Sequence, residues 1–415
     1  MSFDIALSGI QAINQQLTTS SNNIANAGTY GFRSSRANFS SMYAGDRATG
    51  VEIGSTTQSM SLNGGLLNTG RALDAAIDGR GYFVSRDAQN TLSYSRVGIF
   101  TASNNGYLVD SNGKMVQGYA TVPGSTTLGP MGDLKIPTGQ IPAKASEKLT
   151  YTANISSDWT AKTGTFNKDD MQTYNSAKVS VLYDSLGAKH TLSQYFVKTG
   201  TNAMTVHYTL DDAPLAGKSS ADITFDAEGQ LATIDGNGPT NTPPAPIPTD
   251  WQPVFANVAL TSPITGANAL AFAIDYNSTT QYAGEATTST NKADGYASGT
   301  YTGVELAEDG SIVAKYTNGE KQNVGTIALA NFADEGALTA VNDTSWIAST
   351  ASGVALYERP GVGMAGKLST SALEQSNVDI TTELVGLMTS QRNYQANSKV
   401  ISTESAMLQS LMQAM

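Results

Sequence analysis

The chain has 415 residues, room for about two or three domains and a sizeable core, and a formal net charge of −11 with only 14% charged residues. An acidic chain without a lysine or arginine cluster excludes nucleic acid and anionic membrane as expected partners. It contains no cysteine, which removes disulfides, thiolate metal sites and cysteine nucleophiles and makes it indifferent to redox compartment.

The N-terminus lacks a basic region followed by a continuous apolar run, so no cleavable secretory signal is expected. No run of ~18 apolar residues exists either, so no transmembrane helix is expected. Residues 2–27 instead predict one long helix. Phe3, Ile10, Leu17 and Ile24 recur every seven positions, with Ala6, Ile13, Ser20 and Ala27 three positions behind. Gly9 lies inside this helix and suits a close approach by another element. Gly28 is placed to take the left-handed conformation that closes it. Between Ser2 and Phe32 the only charge is Asp4. Two aromatics, Tyr30 and Phe32, follow in the turn; such low-charge aromatics more often serve a core or an interface than a carbohydrate or peptide site.

Residues 34–70 are rich in Ser, Thr, Gly and Asn with scattered apolar residues, and read as an extended connector with a short hairpin, docked on something. From Leu73 short strands take over. Ala76 to Val84 reads strand, glycine turn, strand, and Leu92 to Val97 continues with period two. Asn104-Asn105-Gly106 and Ser111-Asn112-Gly113 bracket Tyr107-Leu108-Val109 as a hairpin signature. The same turn chemistry returns at Glu228-Gly229, Asp309-Gly310 and Asn318-Gly319. Residues 147–290 are richer in Thr, Ala and Asp, and six of the thirteen prolines fall between Pro239 and Pro253, which excludes a central strand or helix there. This middle stretch predicts an inserted β-domain, because the pattern after Asp294 resumes the style of residues 73–140.

No catalytic constellation is visible. His190 and His207 sit in strand-like contexts without ligand-type spacing to acids, Asp211-Asp212 reads as an acidic turn, and Asp78-Gly79-Arg80-Gly81 lacks the third glycine and the following helix of a dinucleotide fingerprint. The expectation is no metal, no cofactor and no enzyme activity.

After Pro360 a glycine-rich return segment leads to Ser376-Asn377, which can cap a last helix with Asp379 in its first turn. That helix carries Ile380, Leu387, Tyr394, Ile401, Leu408 and Met415 every seven positions, and its charges are few: Glu383, Arg392, Lys399 and Glu404. A two-stranded coil alone in water normally has charged flanks. The alternatives are a helical hairpin stapling the ends of one chain and a wall built from many chains; the bare outer faces favour the wall. The fold class expected is therefore mixed: terminal α-helices paired as a coiled-coil-like bundle, plus two largely antiparallel β-domains of barrel or sandwich type, nested discontinuously. The expected division is residues 1–30 and 375–415 for the helices, 31–70 and 361–374 for the connector, 71–146 and 291–360 for the first β-domain, and 147–290 for the inserted outer one.

Three stretches carry a family resemblance. Ser21-Asn22-Asn23-Ile24-Ala25-Asn26-Ala27-Gly28-Thr29-Tyr30-Gly31-Phe32-Arg33 resembles the N-terminal signature of bacterial flagellar rod and hook proteins, with Arg33 where Lys is commoner. Leu73 to Phe83 is similar to the family's first β motif. Ser371 to Asp379, Glu383-Leu384 and Gln391-Arg392-Asn393-Tyr394-Gln395-Ala396-Asn397 resemble its C-terminal signature. Rod-type members have a shorter middle, and the inserted β-domain is a feature of hook-type members. The resemblance implies a structural subunit. Copies would stack into a short curved tube joining rod to filament as a universal joint, with the terminal helices lining its channel. It implies, as partners, further copies of the chain, rod and hook–filament junction proteins, a hook cap during assembly and the type III export apparatus, with an extracellular location and no cleaved signal. Phe3 to Leu7 is similar to the short aromatic-plus-apolar element proposed for the export gate. Some relatives cross-link neighbours through a cysteine, which this chain cannot do. The assembly residues implied are Phe3, Ile10, Leu17, Ile24, Tyr30, Phe32, Ile380, Leu387, Tyr394, Ile401 and Leu408. In this picture the inner helices stay fixed while the outer domains move, and Gly361, Gly363 and Gly366 take the strain. The competing readings are a distal rod-type axial protein and a secreted β-rich adhesin on a helical stalk.

Overall fold

A computed structural model describes residues 2–44, 47–121, 128–241 and 252–414. Met415 and most of the proline-rich stretch lie outside the described residues. The chain is mostly β, with one long helix at each end: α1, Ser2–Ala25, and α2, Ile380–Ala414. It divides into two compact units. One comprises residues 1–138, 302–315 and 321–415, the other residues 139–301 and 316–320.

In the first unit α1 stops at Ala25, earlier than the heptad line through Ala27 implies. The chain then makes consecutive turns, with Ala27 N–H donating to Ile24 and Thr29 N–H to Asn26. The left-handed residue is Gly31 (φ 66°), not Gly28. A side chain at Gly31 would also lie 3.1 Å from the backbone of Arg96 and Val97, so both conformation and space require glycine. A similar correction applies to α2. Its cap is Asp379, whose carboxylate accepts from Thr381 N–H (2.9 Å) and the Thr382 hydroxyl (2.7 Å). Asn377 turns elsewhere.

Most of the 31–70 stretch is a two-stranded antiparallel hairpin, β1 (Ser35–Ala44) and β2 (Arg47–Gln58), far longer than a short hairpin. It lies on α1, where Val51 N–H donates to the Ser8 hydroxyl (3.2 Å). Beyond it the sheets join distant stretches. Gly118 pairs with Ile327, and Phe83 with both Ser95 and Leu329. Tyr82, Tyr94, Phe332 and Trp346 fill that core, with ring centroids 4.8 Å apart for Tyr94–Phe332 and 5.7 Å for Tyr82–Trp346.

The return segment is not loose. Lys367–Thr370 pairs with Ala75–Asp78, and Ala372–Glu374 pairs with Leu66–Asn68. Gly366 donates to the Arg80 carbonyl (2.8 Å), and an added Cβ would sit 2.4 Å from the Asp78 carbonyl oxygen. Gly361 and Gly363 have φ of 71° and 64°. These glycines make a tight turn possible.

The second unit is a two-layer β structure. A six-stranded antiparallel sheet faces a five-stranded sheet across a core including Leu149, Leu192, Phe196, Val206, Ile223 and Phe272. The five-stranded sheet is mixed rather than antiparallel throughout, because strand Lys148–Ser156 runs parallel to Leu270–Asp275. A buried polar chain crosses the core: Tyr208 meets Tyr276 (3.0 Å), which donates to Gln194 (2.6 Å). Burial pushes both tyrosines well above their ordinary range, so they stay neutral and hydrogen-bonded.

His190 sits between two acids that spacing did not connect. Its Nδ1 is 2.6 Å from Asp211 and its Nε2 3.4 Å from Asp184. Two ring nitrogens facing two carboxylates require the doubly protonated ring. Partial burial opposes that charge, but the bonds to Asp211 and Asp184 outweigh it and raise the pKa above the ordinary histidine value. Both aspartates lie below the usual range; burial opposes this, and backbone N–H donors with His190 outweigh it. A raised histidine stabilises fully below its unfolded pKa, about 6.5, and loses that contribution as pH climbs through the folded value. The aspartates lose theirs only in strong acid. His190→Gln should therefore lower the thermal midpoint of this unit at pH 5–6 and converge on the wild type at pH 9; equal losses at both pH values would show that the ring is not charged.

Candidate assembly interface

The two helices run antiparallel against each other. Gly9 faces Asn397, where an added Cβ would lie 2.9 Å from the carboxamide nitrogen. Asn14 and Leu17 share a cleft of about 210 Å³ with Gln391, Tyr394 and Gln395. Asn23 donates to Glu383 (2.7 Å). Rising numbers in α1 meet falling numbers in α2. Seven residues back from Gly9 is Ser2, and seven forward from Asn397 is Glu404, so residues 405–414 extend beyond α1. Ten residues of helix span about 15 Å.

Small and polar side chains are buried on these helices. They are Ala6, Ala12, Thr19, Ser20 and Asn23 on α1 and, among the described residues of α2, Ser390 alone. On the heptad lines only the small residues Ala6 and Ser20 are buried among the described residues, and none of the large apolar ones is. Ile10, Leu17, Ile24, Leu387 and Ile401 are half-buried, as are Tyr30 and Phe32 in the turn after α1. Phe3, Ile380 (49% exposed), Tyr394 (38%) and Leu408 (53%) are open, and so are Ile5, Leu7, Met388, Met407 and Met412. The geometry explains this. Leu408 lies in the segment beyond α1, and Ile380 and Tyr394 alternate with the half-buried Leu387 and Ile401, so the line follows the margin of the face that meets α1 rather than its centre.

What fixes the helices to the β-domain is polar and lies outside the stripes. The Glu374 carboxylate is wholly enclosed with the Arg33 guanidinium 2.8 Å away; both side chains are 0% exposed. Arg96, also buried, approaches the other carboxylate oxygen at 3.4 Å, and Gly64 N–H donates at 3.0 Å to the same oxygen as Arg33. Arg33 also donates to the Leu62 carbonyl (2.8 Å) and Asn63 (3.2 Å). Arg96 donates to the carbonyls of Ile77 (3.3 Å) and Gly79 (2.8 Å) and lies over the Tyr82 ring. Desolvation lowers the basicity of Arg96, and the Glu374 charge partly restores it. Asn377 accepts from Ser34 N–H (2.7 Å) and donates to the carbonyls of Ser59 (3.0 Å) and Leu62 (2.8 Å). Asn23 brackets Ser35, accepting from its N–H and donating to its carbonyl. These signature residues gave no sign of their role in the sequence. The one available signal was that Arg33 and Glu374 are isolated charges beside nearly charge-free helices. Among the described residues no group of His, Asp or Glu is arranged to hold a metal ion.

Asn377→Ala removes an acceptor from Ser34 and a donor from two carbonyls. A cost of about 1–3 kcal/mol is expected, read as amide exchange at Ser34 at least tenfold faster. Unchanged exchange there would mean the bond does not form in solution.

Comparison with known proteins follows the same geography. Residues 76–150 match the family model described as flagellar hook protein FlgE/F/G D1 domain, residues 150–296 the flagellar basal body protein FlaE D2 domain, and residues 369–414 the flagellar basal body rod FlgEFG protein C-terminal. The last spans Glu374, Asn377 and α2. The chain is similar to the flagellar hook protein FlgE of Escherichia coli, with 35% identity over 99% of both chains. It is similar to that of Salmonella typhimurium at 34% identity, again over 99% of both. The likeness extends to Treponema pallidum, with 29% identity over 98% of this chain and 97% of the relative. In fold it is similar to the crystal structure of Helicobacter pylori flagellar hook protein FlgE2, with TM-score 0.52 and 13% identity over 74% of this chain and 100% of that one. Full-length likeness at this identity has one reading: the chain belongs to the flagellar hook protein family.

Proposed function

We propose that the chain polymerises into the hook through the apolar residues its own helices leave open, a structural subunit rather than an enzyme. The observation that carries this is the state of the stripes. Phe3, Ile380, Tyr394 and Leu408 stay exposed, the flanking faces carry almost no charge, and α2 overhangs α1 by about ten residues. A helix pair evolved to end a soluble monomer would bury its largest side chains first. Neighbouring copies would cover these residues and close the pairing into a coiled-coil-like wall around a channel, with Tyr30 and Phe32 at its outer margin.

The working division that follows is a terminal helical domain (1–30, 375–415), a connector (31–70, 361–374), a first β-domain (71–146, 291–360) and an inserted outer domain (147–290). The separation of the molecule into two compact units supports an inserted outer part. The subunit would leave the cell through the flagellar export apparatus without a cleaved signal. It would be added beneath a cap, bound to rod proteins at one end of the tube and to junction proteins at the other. As a universal joint the tube must bend while turning. β surfaces rich in Ser, Thr and Gly can exchange partners at small cost, and that exchange is where compliance belongs.

Deleting residues 1–27 or 378–415 tests the reading. The intact chain should form tubes visible by electron microscopy, and either truncation should leave a soluble protein that forms none. Tubes from a truncated chain would remove the helices from the assembly. A ligand-binding activity retained by residues 71–360, with no tubes from the intact chain, would favour the adhesin.

A further inference from the structure

The chain passes between the helix pair and the first β-domain at two narrow places, residues 26–34 going out and 374–379 coming back. Two strands crossing a gap make a hinge unless something fixes them. Here the fixing group is one carboxylate. Glu374 binds Arg33 (2.8 Å) just after α1, Gly64 N–H (3.0 Å) in the connector and Arg96 (3.4 Å) in the β-domain. Arg96 in turn holds the Ile77 and Gly79 carbonyls of the first β motif. The Glu374 backbone carbonyl accepts from Gly31 N–H (2.8 Å) as well.

Such a contact behaves unlike the rest of the surface. Apolar and hydroxyl contacts can slide and re-form, whereas a buried ion pair that slips leaves uncompensated charge in a medium without water. Two guanidinium groups share one carboxylate, and the Nε of each has no hydrogen-bond partner among the described residues. If the carboxylate withdraws, the two cations keep only neutral acceptors, Leu62 and Asn63 for Arg33 and the Ile77 and Gly79 carbonyls for Arg96. We infer that Glu374 is a positioning residue that welds the helix pair and the first β-domain into one force-transmitting body. The bending of the hook is thereby excluded from this junction. This rests on the hook reading above, since a joint that turns must pass torque from its helical wall to its β layers.

The test uses the full chain and Glu374→Gln, which keeps shape and removes charge. Tubes of Glu374→Gln should form on the wild-type lattice but bend more easily, with persistence length at least threefold shorter. Subunit classes should show a variable angle between the helices and the first β-domain. A lowered melting temperature with unchanged stiffness and a fixed angle would make the cluster merely structural and overturn the inference. Arg33→Lys, which keeps the charge and loses the forked donors, serves if Glu374→Gln does not fold, with the same expected direction. Amide exchange in the unpolymerised wild type separates this idea from the hook reading. Gly31 and Gly64 should exchange in one cooperative step with strand Ala75–Asp78 whether or not tubes form, and independent exchange overturns the weld even if the chain polymerises normally.

Discussion

Both ends of the chain belong to one antiparallel helix pair, and that constraint dictates the architecture. Everything between residues 26 and 379 is a loop of that pair, so each further domain is a loop within a loop. The strand partners record this nesting: Leu66 with Glu374, Ala75 with Thr370, Gly118 with Ile327. Closing so long a loop costs little more than closing a shorter one, because the entropy grows only with the logarithm of length. The difficulty is geometric: two crossing strands must arrive in register. Glu374 stands at that point, and its carboxylate is satisfied only when the outgoing chain at Arg33, the connector at Gly64 and the β-domain at Arg96 are all in place.

The helices follow a different logic. Their mutual face includes small and polar residues, with Gly9 admitting Asn397 and Ser390 buried on α2. Close approach of two backbones over small residues leaves larger side chains pointing away from the seam. At roughly 25 cal/mol per Å² of apolar surface, the stabilisation available from Phe3, Tyr394, Leu408 and Met412 is large, and a single chain does not collect it. The helices of the monomer are therefore incomplete along their apolar sides, which suits a subunit whose final stability is supplied by its neighbours.

Local periodic signals were legible in the sequence. The heptads announced both helices, and glycine-marked turns announced hairpins, with Gly106, Gly113, Gly229, Gly310 and Gly319 all at positive φ. Glycine itself was ambiguous. Gly361, Gly363 and Gly366 look the same in sequence whether a segment is loose or tightly bent; packing against Glu358 at Gly363 and against Asp78 and Arg80 at Gly366, and a positive φ at Gly361, decide it. Helix α1 stops at Ala25, inside the heptad line through Ala27, because a periodic pattern does not show where hydrogen bonding stops. Long-range polar contacts were illegible. His190 reaches Asp211 across 21 residues, and Asn377 reaches Ser34 across 343. Nothing in local spacing encodes such a meeting, and the stripes drew attention to apolar residues while the junction was built from Asn23, Arg33, Glu374 and Asn377.

The scarcity of charge then acquires a physical meaning. Among the described residues, ion pairs join Arg33 and Arg96 to Glu374 and Arg80 to Glu335 within one unit, and Lys144 to Asp294 and Lys148 to Asp275 within the other. The helix faces carry few charges and present apolar and neutral polar groups instead. Contacts of that kind respond weakly to ionic strength, whereas exposed ion pairs are screened by salt within about 10 Å. They also have many near-equivalent arrangements, since one methyl or hydroxyl substitutes for another at little cost. Charges pair with specific partners and resist displacement. A polymer that must hold each subunit rigid while neighbours shift past one another needs both kinds of contact, kept apart. These ion pairs lie inside the subunit, which leaves neutral polar and apolar groups for the contacts that the proposed hook must form and exchange.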